Sequence, residues 1–76
     1  MMTIRYFASL REQMGQSEAR ISSNGIHTVL DAWVAANGDR EIPANVLVSI
    51  NQDYARLDSP VQSGDEIAFF PPVTGG

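Results

Sequence analysis

The hydrophobic positions near the start of this chain follow a two-residue period, which is typical of a half-buried β-strand. Residues 3–8 form this segment, and the predicted strand has two distinct faces. One face carries Ile4, Tyr6 and Ala8, and the other carries Arg5 and Phe7. Aromatic side chains therefore occur on both faces of the first strand.

A helical spacing of apolar residues occupies the middle of the chain. Thr28 is the predicted N-cap of a helix through about residue 36, and Asn37-Gly38 ends it. The stripe expected to be buried consists of Val29, Leu30, Trp33 and Val34, continued toward Asn37. A shorter helical segment is predicted at residues 9–14, with Ser9 as its cap and Gly15 as its end.

Further strands are predicted on both sides of the main helix. Residues 17–22 form a weak, polar strand, and residues 46–51 a strong one with Val46, Val48 and Ile50 on one face. Residues 53–63 are rich in turn formers and are interpreted as a long excursion. We expect an α+β fold of the β-grasp type, in which four or five strands pack on one main helix. The first and last strands are expected to pair in parallel at the centre of the sheet.

The last predicted strand, residues 66–70, places Phe69 and Phe70 on opposite faces. A single helix layer covers only one face of a sheet, so one of these two rings is expected to be exposed. An exposed aromatic ring near the chain end is a suitable anchor for a protein partner. We assign this role to Phe70.

Composition excludes several classes of function. The 76 residues contain no cysteine, so disulfides, thiolate metal sites and a cysteine nucleophile are excluded, and no metal or bound cofactor is expected. The net charge is −4 and the five basic residues, all arginine, form no basic stripe, so no nucleic-acid partner is expected. We find no membrane-spanning run and no signal peptide, and we expect a cytoplasmic protein.

The tail, residues 71–76, is the part of the chain that suggests chemistry. Pro71-Pro72 ends the last strand and favours a stiff, extended exit from a domain predicted to span residues 1–70. Val73 and Thr74 then lead to Gly75-Gly76, whose lack of side chains suits a narrow tunnel. The carboxylate of Gly76 is a candidate for activation with ATP to an acyl-adenylate and for conversion to a thiocarboxylate. The alternative is a glycine-rich terminus without a chemical role.

Two segments resemble the small subunits of molybdopterin synthase, which are the sulfur carriers of molybdenum-cofactor biosynthesis. The closing run Gly-Asp-Glu-Ile-Ala-Phe-Phe-Pro-Pro-Val-Thr-Gly-Gly, residues 64–76, is similar to the end of that family. The opening run Tyr-Phe-Ala-Ser-Leu-Arg-Glu, residues 6–12, is similar to its first strand and turn. The Phe-Phe-Pro-Pro-Val-x-Gly-Gly ending is far more specific than Gly-Gly alone.

The resemblance implies a carrier that has no activity alone. An adenylating enzyme of the ubiquitin-activating type would consume ATP to activate Gly76, and a sulfur donor system would form the thiocarboxylate. The large catalytic subunit, in a heterotetramer, would pass the sulfur to cyclic pyranopterin monophosphate.

By position in the family's motifs, Phe70 and Arg11 are implied partner contacts, as are Phe7 and Tyr54 by approximate alignment. Three alternatives stay open: a sulfur carrier for thiazole or another sulfur metabolite, a ubiquitin-like modifier, and a passive interaction module.

Overall fold

The computed structural model describes residues 1–72, which form a five-stranded mixed sheet with two helices. In chain order the elements are β1 (Met2–Tyr6), α1 (Ala8–Met14), β2 (Glu18–Ile21), α2 (Val29–Asn37), β3 (Leu47–Ile50), β4 (Asp53–Ala55) and β5 (Glu66–Phe70). The strands lie in the order β2-β1-β5-β3-β4. The predicted α+β class is confirmed.

The central pair of strands, β1 and β5, is parallel, as predicted. Ile4 lies opposite Ile67 and Tyr6 opposite Phe69. The pairing extends beyond β1, because the N–H of Phe7 donates to the carbonyl of Phe69 at 3.2 Å. Parallel strands require a long crossover between them, so the intervening chain has to pass over a face of the sheet. The other pairs, β1–β2, β3–β5 and β3–β4, are antiparallel.

The core lies on one face of the sheet, under the two helices. Its buried residues are Met2, Ile4, Tyr6, Leu10, Val29, Ala32, Trp33, Val48, Ile67 and Phe69. Trp33, predicted as a core residue, meets Phe69 edge to face with ring centres 5.0 Å apart. Its indole Nε1 donates to the carbonyl of Arg40 at 2.7 Å. The buried ring of Trp33 therefore keeps its polar group satisfied.

The Tyr6 ring is buried in the same cluster and stacks on Phe69 at 6.2 Å. Its hydroxyl accepts a hydrogen bond from Asn37 Nδ2 at 2.9 Å. Burial raises the pKa of the Tyr6 hydroxyl, and the Asn37 bond and the charge of Arg40 only partly oppose that rise. Asn37 is thus the polar end of the predicted helix stripe.

The predicted buried stripe of α2 is wrong at two positions. Leu30 and Val34 are 45% and 52% exposed, whereas Ala32 is fully buried. The helix presents Val29, Ala32 and Trp33 to the core, with Ala36 half-buried behind them. The small side chain of Ala32 lets the helix approach the sheet while the large Trp33 ring lies over Phe69. The helix is therefore rotated about its own axis, relative to the orientation that would bury its most hydrophobic side chains.

The first strand is shorter than predicted, because helix α1 begins immediately after it. Ala8 is the first residue of α1, is exposed and has a φ of 53°, so it does not belong to the strand. Phe7, and not Ser9, occupies the N-cap position, with no side-chain capping bond. Its carbonyl accepts instead from the N–H groups of Leu10 and Arg11. Gly15 ends the helix in the left-handed conformation, as predicted.

The segment predicted as a long excursion contains a strand. β4 pairs with β3 through a two-residue turn, Asn51-Gln52, whose φ values are 50° and 73°. Two consecutive positive φ values match the hairpin turn that suits the natural twist of the strands. Sequence reasoning missed this hairpin because the usual glycine at the second turn position is absent.

A buried carboxylate ties this turn to the start of β5. Asp65, only 8% exposed, accepts from Asn51 Nδ2 at 3.0 Å and from the backbone N–H of Gln62 at 2.8 Å. The Asn51 Oδ1 atom accepts in turn from the N–H of Glu66 at 2.9 Å. Asp65 and Asn51 therefore join the β3–β4 turn to the segment that leads into β5.

The end of β5 borders the predicted tail. β5 ends at Phe70, and Pro71 and Pro72 follow outside the sheet. The predicted tail residues Val73, Thr74, Gly75 and Gly76 lie outside the described residues. Within residues 1–72, no helix has the length and apolar character needed to cross a membrane.

The hairpin turn predicts opposite effects for two neighbouring substitutions. Gln52→Gly should raise the free energy of unfolding by up to about 1 kcal/mol, because glycine adopts a positive φ without steric cost. Asn51→Gly should lower it, because the bonds to Asp65 and Glu66 are lost. Urea unfolding of both variants measures the difference. A loss of stability in Gln52→Gly as large as that in Asn51→Gly would contradict this view of the turn.

The N-cap of α2 predicts a pH-dependent contribution to stability. Asp31 Oδ2 accepts from the N–H groups of His27 and Thr28, at 3.0 and 3.1 Å, and Thr28 Oγ1 accepts from Asp31 N–H. The bond from His27, then that from Thr28, holds the pKa of Asp31 below its ordinary value. A lowered folded-state pKa stabilises the protein above the unfolded pKa, about 3.9, and this contribution is lost as pH falls through the folded pKa.

Asp31→Asn should therefore lower the melting temperature at pH 7, and its difference from the parent should shrink below about pH 4. Thermal unfolding followed by circular dichroism at several pH values tests this. Asp39→Asn, at an exposed position just after the helix, is the matched control. A difference between Asp31→Asn and the parent that stays constant down to low pH rules out the charged cap.

Candidate docking surface

Within residues 1–72, no helix lies over the face of the sheet opposite the core, and we call this face the outer face. Strand register assigns its residues, because directly paired residues share a face. They are Thr3, Arg5, Glu18, Arg20, Leu47, Ser49, Tyr54, Glu66, Ala68 and Phe70. Phe7 joins them, because it continues β1 in an extended conformation one residue after the buried Tyr6.

Three of the four predicted partner-contact residues, Phe7, Tyr54 and Phe70, lie on this outer face, and we call them the aromatic patch. Tyr54 is 79% exposed and Phe7 42% exposed, whereas Phe70 is half-buried. The rings of Tyr54 and Phe70 are 6.1 Å apart and tilted. Phe7 lies beside the end of β5, where its N–H bonds to Phe69. The expectation that Phe69 is core and Phe70 faces outward is confirmed.

The aromatic patch adjoins the point where the chain leaves the sheet. Phe70 is the last residue of β5, and Pro71 and Pro72 follow directly. Because β1 and β5 are parallel, Phe7 lies at this same end. Phe7 and Phe70 therefore both lie where the described part of the chain leaves the sheet.

Arg11, the fourth predicted contact residue, is not on the sheet. It lies on the exposed side of α1, in the last turn of that helix. A cation there interacts favourably with the negative end of the helix dipole. The helix begins next to Phe7, so Arg11 borders the same end of the molecule as the aromatic patch without belonging to the outer face.

Arg5 is a residue of this surface that sequence reasoning did not single out. Its guanidinium carbon lies 5.5 Å from the centre of the Phe7 ring, within cation–π range. Its Nη1 atom is 3.8 Å from Glu66 Oε2. The two-residue period already put Arg5 and Phe7 on one face, and that signal was available in the sequence.

A cavity of about 290 Å³ elsewhere on the molecule does not resemble a chemical site. Pro60, Val61, Gln62 and Asp65 line it, near the start of β5 and at the other end of that strand from Phe70. Its carboxylate already accepts bonds from Asn51 and Gln62. Among residues 1–72, no cluster of three or more His, Cys, Asp or Glu side chains is arranged to hold a metal ion.

Comparison with known proteins agrees with this architecture. Residues 4–76 match the model of the ThiS family. The chain is 38% identical over 82 residues to the molybdopterin synthase sulfur carrier subunit of Escherichia coli (strain K12), with 100% of both proteins covered. It is 36% identical over 87 residues to small archaeal modifier protein 1 of Haloferax volcanii, covering 99% of this chain and 100% of that protein.

Solved structures share the fold as well. The crystal structure of Haloferax volcanii small archaeal modifier protein 1 superposes with a TM-score of 0.78 at 33% identity, covering 95% of this chain and 97% of that one. Ubiquitin-like β-grasp carriers are thus the structural neighbours, and the predicted β-grasp fold is confirmed. The resemblance to molybdenum-cofactor sulfur carriers is confirmed over the full length, and the chain belongs to the ThiS family.

Proposed function

We propose that this protein carries sulfur as a thiocarboxylate on Gly76 and delivers it to cyclic pyranopterin monophosphate within a molybdopterin synthase. The observation that supports this most is the aromatic patch at the base of a tail whose sequence ends in Gly75-Gly76. The full-length similarity to a molybdopterin synthase sulfur carrier subunit favours the same role.

The proposed chemistry occurs at the terminal carboxylate. A carboxylate oxygen of Gly76 attacks the α-phosphate of ATP, and pyrophosphate leaves. Hydrosulfide, or a sulfur donor of equivalent oxidation level, then attacks the acyl carbon; the C–S bond forms, the C–O bond to AMP breaks, and the thiocarboxylate remains. The chain has no cysteine and no phosphate-binding loop. An adenylating enzyme, which consumes the ATP, and a separate sulfur donor system therefore supply these steps, and we expect them in the cytoplasm.

The proposed partner for sulfur delivery is the large catalytic subunit of molybdopterin synthase, in a heterotetramer. The aromatic patch supplies the apolar anchors for it, because buried aromatic side chains carry much of the binding energy of protein interfaces. Arg11 borders the same end and is proposed as a polar contact. Glycine residues at positions 75 and 76 allow close approach to the catalytic centre of the large subunit, since they carry no side chain.

A second candidate function is protein modification through the same carboxylate. Similarity to a protein named small archaeal modifier protein 1 favours it. A modifier forms an amide bond between Gly76 and a lysine of a target, with AMP or a thiol as the leaving group. The two functions share activation and differ in the final acceptor, so the product distinguishes them.

Two adjacent phenylalanines give a matched test of the docking surface. Phe70→Ala should weaken binding to the cognate large subunit at least tenfold in calorimetry. Phe69→Ala should instead cost about 3–5 kcal/mol of folding stability, because it leaves a cavity in the core. Leu30→Ala, an exposed apolar change on the opposite side of the molecule, is the binding control. Unchanged affinity of Phe70→Ala, or equal losses in Phe70→Ala and Leu30→Ala, argues against the aromatic patch as the interface.

The carrier chemistry predicts a defined mass change. After incubation with ATP, a competent adenylating enzyme and a sulfide source, the intact mass should rise by the difference between one sulfur and one oxygen atom. Deletion of Gly76, or addition of one residue after it, should abolish the change. No mass change, with an enzyme that activates a known carrier in parallel, would falsify the carrier role. Amide-linked adducts on target lysines would favour the modifier.

A further inference from the structure

The outer face carries four charges beside the aromatic patch, with signs that alternate across three strands. Their residues are Glu18 and Arg20 on β2, Arg5 on β1 and Glu66 on β5. Arg5 lies directly opposite Glu18, and Thr3 lies between Arg20 and Glu66. Arg5 approaches Glu66 at 3.8 Å, and Arg20 approaches Glu18 at 3.6 Å. We call these four residues the charge checkerboard.

The checkerboard contributes little to folding, because its ion pairs face water. The side chains of Arg5 and Glu66 are 44% and 42% exposed, and those of Arg20 and Glu18 are 71% and 42% exposed. Exposed pairs at such distances add little stability. Charges on an edge strand prevent edge-to-edge aggregation, and this explains Glu18 and Arg20 on β2. It does not explain Arg5 and Glu66, which are on the two central strands.

Arg5 and Glu66 are continuous with the aromatic patch. The guanidinium of Arg5 lies 5.5 Å from the Phe7 ring centre, and Arg5 is the register neighbour of Ala68. Ala68 is followed two residues later, on the same face, by Phe70. A partner that covers Phe7 and Phe70 and extends along β5 therefore also removes water from Arg5 and from its ion-pair partner Glu66.

We propose that Arg5 and Glu66 determine the orientation in which the partner docks on the outer face. This inference rests on the proposed docking surface. The matching partner surface has an apolar centre that meets the aromatic patch, a carboxylate that faces Arg5 and a basic group that faces Glu66. Desolvated charges are costly unless they are matched, and like charges repel. A partner turned the wrong way, or one with the reverse charge order, is thereby rejected.

A charge swap tests this inference without removing the internal ion pair. The double variant R5E/E66R keeps opposite charges at the two positions, but it exchanges which position is positive and which is negative for a docking partner. We expect its affinity for the cognate large subunit to fall at least tenfold. The unfolding midpoint should fall only slightly, because the new carboxylate at position 5 then faces Glu18 across the strand pair in an exposed setting. The matched control, E18R/R20E, swaps the charges of the edge strand β2 and leaves Arg5 and Glu66 in place, so it should change affinity less than threefold. The loss in R5E/E66R should shrink at high salt, because salt screens charge repulsion.

A neutral variant and a conservative one separate charge from packing. R5Q/E66Q removes both attractions but adds no repulsion, so its affinity should lie between those of the parent and the swap. Arg5→Lys keeps the positive charge and should bind nearly as the parent does.

Two outcomes overturn the inference: parental affinity in both the swap and the neutral variant, or an equal loss in R5E/E66R and E18R/R20E. If these occur while Phe70→Ala still loses binding, the docking surface stands and only the role of the charges fails. If Phe70→Ala also binds as the parent does, the docking surface itself is wrong.

Discussion

The parallel pairing of β1 with β5 is the constraint on which the rest of the structure depends. Parallel neighbours cannot be joined by a tight turn, so the chain between them has to cross a face of the sheet. Both helices consequently lie over one face, where the ten-residue core forms. The opposite face is left without cover. The same pairing brings Phe7 and Phe70 to one end of the sheet, where the chain continues into its tail.

A domain of this size buries a comparatively small fraction of its surface on folding. The hydrogen bonds of its buried polar groups restrict how the core can pack. The Trp33 indole and the Tyr6 hydroxyl are both buried, and each has a partner, the Arg40 carbonyl and Asn37. The Asp65 carboxylate accepts one hydrogen bond from the Asn51 side chain in the β3–β4 turn and one from the Gln62 backbone just before β5. Among residues 1–72, no buried side-chain nitrogen or oxygen lacks a hydrogen-bond partner. The buried polar groups thus restrict how the helices and turns pack on the sheet.

The molecule divides recognition from chemistry. The folded body offers aromatic and charged side chains on a rigid sheet, whereas the proposed reactive group is a backbone carboxylate at Gly76. A rigid sheet holds its side chains in a defined pattern, and this suits selection among partners. In the proposed function, the chain meets an activating enzyme first and a receiving subunit afterwards. In this proposed role, the acyl carbon of Gly76 has to be accessible to its reaction partners. Glycine leaves it unobstructed because it has no side chain.

The sequence by itself determined whatever depends on neighbours within a few residues. The alternation in residues 66–70 put Phe69 and Phe70 on opposite faces of the sheet, and Thr28 and Gly15 marked helix ends. Only the tertiary structure decided that Ala32 rather than Leu30 faces the core, because the rotation of α2 depends on how Trp33 fits against Phe69, far away in the chain. Packing also decided that α1 begins at Ala8, whose φ of 53° takes the chain out of the extended conformation directly after Phe7 bonds to Phe69. The approach of Arg5 to Glu66 likewise required the parallel register, which local periodicity does not encode.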